Sequence, residues 1–155
     1  PMTVIAYKDG IIAADGRETW ADGGIGQCEK LFRIPKGPHK GHIVGTQGAS
    51  SPGMVFVDWY TDPKTEKPKI QFEEEFFMCV VLRSDGVFTV DDHCRLIKCI
   101  EPMVAIGAGA PVALGAMAAG ATAVQAVRIA CRYNSLCGPP VKWMVLDSKP
   151  KHKHT

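Results

Sequence analysis

The chain has 155 residues, of which 46% are hydrophobic and 22% charged, the balance of an ordinary globular domain. Its length suits one domain that buries about 68–70% of its unfolded surface. A formal charge of +2 is too small to argue for a nucleic-acid partner, and no apolar run approaches the ~20 residues of a membrane span.

Residues 4–8 and 11–15 are apolar runs joined by Lys8-Asp9-Gly10, a hairpin signal. Residues 16–27 are polar and rich in glycine, and are expected to be a loop. Strands follow at 28–34 and 42–46, separated by a turn from Pro35 to Gly41. Ser50-Ser51-Pro52-Gly53 has the form of a helix start, with a capping serine and a proline in the first turn, leading a short apolar helix over 54–60. Residues 62–75 are polar, and the acidic run Glu73-Glu74-Glu75 is expected to be a solvated face.

A second β segment runs from Phe77 to Leu82, turns at Ser84-Asp85-Gly86 and returns over 87–90, with further strands at Leu96-Ile97 and 103–106. Gly107-Ala108-Gly109-Ala110-Pro111 opens a helix of small residues through Ala119, and Thr122 caps another over 123–133. Gly138-Pro139-Pro140 breaks the chain before a last strand, 141–146. Strands and helices in separate groups predict an α+β layered domain rather than βαβ units.

Six cysteines (Cys28, Cys79, Cys94, Cys99, Cys131 and Cys137) have irregular spacing and no CxxC pair. With no secretory signal ahead of Thr3, they are expected to be reduced thiols of a cytoplasmic protein. Cys94 and Cys99 beside His93 are spaced more widely than a zinc knuckle, so no metal or other cofactor is expected. Pro1-Met2 reads as a tag remnant followed by an initiator methionine. The expected organisation is one domain over 3–147 and a basic, solvated tail over 148–155 that includes Lys149, Lys151, His152, Lys153 and His154.

Thr3 carries the chemistry. A threonine that becomes the first residue has a nucleophile in its hydroxyl and a base in its own α-amine. An α-amine has a pKa of about 8, so a modest shift leaves it free to accept the hydroxyl proton near neutrality. Loss of Met2 would create that arrangement.

The run from Thr3 to Thr19, the segments around Lys30 and Gly45, and residues 106–141 together resemble the proteasome-type N-terminal-nucleophile hydrolases. This family includes proteasome β subunits and HslV. The opening Thr3-Val4-Ile5-Ala6-Tyr7 is similar to that of small bacterial and phage proteins of the same kind. The resemblance implies a four-layer αββα sandwich with a reduced first helical layer. It implies a threonine peptidase acting on peptide or unfolded-protein substrates inside a homo-oligomeric ring, with an ATPase unfoldase as partner. An amidase acting on a small amide, and an assembly subunit without catalysis, are the alternatives.

Carried over residue by residue, Thr3 is the nucleophile, Asp15 orients the catalytic lysine, and Lys30 is that lysine. Its charge would depress the pKa of the nearby amine. Gly45 supplies the oxyanion N–H, where losing a donor typically costs ~3–4 kcal/mol. Arg17, Thr19 and Thr46 fall on the substrate-binding segments. Three positions depart from the family pattern: Ala108 replaces a serine in the Gly-x-Gly turn, and Asn134 and Cys137 stand where an aspartate and a serine usually support the amine.

Overall fold

The computed structural model describes residues 3–48, 52–64, 66–70 and 79–147. Pro1-Met2, Ser50-Ser51, Glu73 to Met78 and the basic tail lie outside the described residues.

Strands β1 (Ile5–Lys8) and β2 (Ile11–Ala14) form the expected hairpin. Its turn residues Asp9 and Gly10 both have positive φ, 51° and 81°, the backbone that a two-residue turn between twisted strands requires. The hairpin is the centre of a four-stranded antiparallel sheet, with β10 (Met103–Ile106) beside β1 and β11 (Lys142–Val145) beside β2. A second antiparallel sheet runs in the order β5 (Leu31–Arg33), β6 (Ile43–Gly45), β7 (Cys79–Arg83), β8 (Gly86–Val90), β9 (Leu96–Lys98).

Residues 16–27 are not the loop that their glycines predict. Arg17–Thr19 (β3) and Ile25–Gln27 (β4) pair as a two-stranded ribbon. The Trp20 ring lies against Gly24 and Gly26, where an added Cβ would sit 2.6 Å and 2.5 Å from ring carbons. Those glycines make room for an indole rather than marking irregular chain.

The period-two alternation of the strands assigns each side chain to one of three apolar clusters. Val4, Ala6 and Ala13 face helices α2 (Ala110–Ala118) and α3 (Ala123–Tyr133), meeting Ala113, Met117, Ala126, Val127 and Ala130. The alternate residues Ile5, Ile12 and Ala14 face the second sheet and pack with Leu31, Ile43, Val80, Leu82 and Val87. On that sheet's far side, Val44, Val81, Phe88 and Val90 pack against Phe56, Val57 and Tyr60 of α1 (Gly53–Thr61). A one-residue slip in any of these strands would exchange its two faces.

The cap of α3 is as expected: Thr122 accepts from the Gln125 N–H, and Gln125 accepts from the Thr122 N–H. That of α1 is not. Its cap position is Pro52, which makes no side-chain bond. Helix α2 starts at Ala110, after the expected Gly107, because Gly107 at φ +96° and Gly109 form a turn against Thr3. No helix among the described residues is long and apolar enough to cross a membrane.

Candidate active site

Thr3 lies at the entry to β1, fully buried, and its hydroxyl donates to Asp15 Oδ1 at 3.1 Å. The hairpin register brings these two together, since Asp15 directly follows β2 and its N–H donates to the Val4 carbonyl. The same Oδ1 accepts from the Val4 N–H at 3.0 Å and from Lys30 Nζ at 2.9 Å. Oδ2 accepts from the Gly138 N–H at 3.1 Å and the Arg17 N–H at 3.3 Å. The Lys30 and Asp15 side chains are 1% and 0% exposed. A carboxylate withdrawn from water in this way must recover its solvation from donors around it. Asp15 does so with five.

Lys30 precedes β5, and its carbonyl accepts from the Thr46 N–H at 2.8 Å. Gly45 stands one residue earlier, in register with Leu31 and Val80. A Cβ on Gly45 would lie 3.0 Å from Ile5 Cγ2, so the glycine lets β6 close on β1 just beyond Thr3. Thr46 is fully buried with its side chain against Gly53 at the start of α1, so its N–H and side chain are both engaged within the fold.

Arg17 and Thr19 lie on ribbon strand β3, which leaves Asp15 through Gly16. The Arg17 guanidinium donates to the Ser135 carbonyl at 2.9 Å and lies flat against Gly138. Arg17 therefore fastens the ribbon to the loop after α3. Thr19 is half-buried opposite Ile25.

The three divergent positions meet at one place. Ala108 lies in the turn whose Gly109 N–H donates to the Thr3 carbonyl at 3.2 Å. Its own carbonyl accepts from Asn134 Nδ2 at 3.0 Å. The Cys137 thiol is fully buried beside Gly109, where an added Cβ would sit 3.0 Å from its Sγ; burial, reinforced by Asp15 and Cys131, pushes its pKa up to about 12. A thiol so placed stays neutral. Burial likewise raises Cys131 to about 11, with Asp15 adding to it. Cys28, beside Gly48, is also raised by burial, although Lys30 opposes the shift.

Sequence reasoning missed the backbone donors of this site, namely the N–H groups of Val4, Gly109 and Gly138. Only the Gly-x-Gly turn carried a signal. Among the described residues, no group of three or more His, Cys, Asp or Glu is placed to hold a metal ion.

No protein-family model and no curated protein matches the sequence. Solved structures do. Thiobacillus denitrificans BPH aligns at 21% identity with a TM-score of 0.65, over 96% of this chain and 98% of that one. Eukaryotic HslV from Trypanosoma brucei aligns at 17% identity and a TM-score of 0.65, over 93% of this chain and 98% of that one. Thiobacillus denitrificans BPH in complex with epoxomicin aligns at 22% identity and a TM-score of 0.60, over 93% and 97%. The fold is therefore HslV-like over nearly the whole chain, with antiparallel sheets and three helices among the described residues.

Proposed function

We propose that the protein is a threonine-type hydrolase of peptide bonds whose nucleophile is Thr3 once the residues ahead of it are removed. The supporting observation is the buried convergence of Thr3 Oγ1, the Val4 N–H and Lys30 Nζ on a single oxygen of Asp15. Asp15 accepts the hydroxyl hydrogen bond and fixes the Oγ1 rotamer, while the Lys30 ammonium supplies positive charge beside it. The exposed α-amine takes the hydroxyl proton as Oγ1 attacks the carbonyl carbon. The amine then returns the proton to the leaving nitrogen, and water hydrolyses the ester formed on Thr3.

The three apolar clusters support a four-layer αββα sandwich with a single described helix, α1, on one outer face. The likeness to HslV supports assembly into a ring, with an ATPase unfoldase feeding peptide to a chamber, in the cytoplasm. Ribbon strand β3, carrying Arg17 and Thr19, is the element against which an extended peptide would align.

The test begins with the intact mass of protein whose residues 1–2 have been removed. Turnover of short fluorogenic peptides, an epoxomicin adduct at Thr3, and loss of both in Thr3→Ala are expected. Correctly processed protein that neither turns over peptide nor forms the adduct would sink the reading. Opening of a small amide without peptide turnover would point to an amidase. A second reading, an assembly subunit without catalysis, is favoured by Ala108 and the neutral Cys137 in place of hydroxyl groups.

A further inference from the structure

We infer that Asn134 is a positioning residue, an amide clamp that couples the turn behind Thr3 to the loop that holds Asp15. Asn134 ends α3, and its two side-chain atoms face opposite ways. Nδ2 donates to the Ala108 carbonyl at 3.0 Å, and Oδ1 accepts from the Leu136 N–H at 2.9 Å. The partners settle which atom is which, because a carbonyl only accepts and a backbone N–H only donates.

Each tethered segment reaches the site. The 107–109 turn presses Gly107 against Thr3 and donates the Gly109 N–H to the Thr3 carbonyl at 3.2 Å. The 135–138 loop gives the Gly138 N–H to Asp15 Oδ2 at 3.1 Å, and its Ser135 carbonyl anchors Arg17. The nucleophile and its orienting carboxylate are therefore backed by two segments that a single amide joins. An ionised carboxylate at this position could accept from Leu136 but could not donate to Ala108, and would set two acceptors face to face. The departure from an acidic residue here is a requirement of this geometry, not a loss of one.

The inference rests on the proposed Thr3 chemistry for its kinetic readout, so the test carries a second readout that does not. Processed protein and its Asn134→Asp variant are compared for the rate of epoxomicin addition to Thr3 across about pH 4.5 to 8. The variant is expected to react about tenfold more slowly at neutral pH, through loss of the half-buried Nδ2 donor to Ala108. Its rate relative to the unmodified protein should recover toward acid pH, where a protonated carboxyl can again donate to Ala108. Asn134→Ser keeps an acceptor for Leu136 but is too short to reach Ala108. It should be slow with a flat relative profile, and it replaces the first variant if that one fails to fold. Equal rates at neutral pH in the folded variant, or slow addition by Asn134→Asp with no acid recovery, overturn the clamp. If the unmodified protein does not react at all, the hydrolase reading fails alone. Hydrogen exchange at Gly109 and Gly138 then decides: faster exchange in Asn134→Asp at neutral pH supports the clamp, and unchanged exchange overturns it.

Discussion

Lys30 Nζ and Asp15 Oδ1 lie 2.9 Å apart with neither side chain more than 1% exposed. Removing one partner of such a pair leaves an uncompensated buried charge, which costs about 3–5 kcal/mol. Asp15→Asn and Lys30→Met should each lower the unfolding free energy from urea denaturation by that amount. The double variant should recover part of the loss, giving a coupling energy beyond additivity. Strictly additive losses would mean that the other donors to Asp15 carry its solvation without Lys30.

Gly107 and Gly120 both have positive φ, +96° and +114°, but their surroundings differ. A Cβ on Gly107 would overlap the Thr3 carbonyl and Cγ2, whereas a Cβ on Gly120 meets nothing within 4 Å. Gly120→Ala should cost about 1–3 kcal/mol from backbone strain alone. Gly107→Ala should cost clearly more, because Thr3 must move as well, and it should abolish any reaction at Thr3 even in protein that stays folded. Similar melting temperatures for the two variants would show that the turn behind Thr3 yields freely.

Much of the fold was legible because local chemistry and tertiary packing agree. Asp9-Gly10 makes one kind of turn, and Thr122 with Gln125 makes one kind of helix start, whatever surrounds them. The ribbon was hidden for the opposite reason: Gly24 and Gly26 signal irregular chain locally, and only the Trp20 ring packed on them explains why they sit in or beside a strand. The side chains converging on Asp15 were named through the resemblance to the N-terminal-nucleophile hydrolases, with Thr3, Asp15 and Lys30 in the family's order along the chain. The backbone donors were not, since no residue type marks which amide turns inward. Arg17 shows the same limit. Its place on the same segment as Thr19 invites a substrate role, while its guanidinium is engaged with the Ser135 carbonyl.

All six cysteines are free thiols, and burial holds Cys79 and Cys137 near a pKa of about 12. Because the thiolate is the nucleophile, both should resist iodoacetamide at pH 8 in native protein. Peptide mapping should find them unmodified until denaturant is added and all six react. Rapid native alkylation of Cys137 would mean that the 134–138 loop opens often enough to expose it.

Tyr60 Oη lies 2.7 Å from His42 Nδ1, while the His39 ring stacks on the Tyr60 ring at 3.8 Å. The groups facing His42 are thus Tyr60, His39, Arg83 and Asp85. Burial first, then His39 and Arg83, hold its pKa below the ordinary 6.5, with Asp85 opposing. In the unfolded chain His42 takes its proton near pH 6.5, and in the fold only at lower pH. Between those values the unfolded state binds more protons, so stability falls as pH falls through that window. Melting temperature should therefore drop from neutral pH toward about pH 5.5, and less so in His42→Gln, whose side-chain oxygen can still accept from Tyr60 but does not titrate. Parallel curves for the two proteins would place the acid sensitivity elsewhere. A larger drop in the variant would mean that His42 gains its proton partner in the fold rather than losing one.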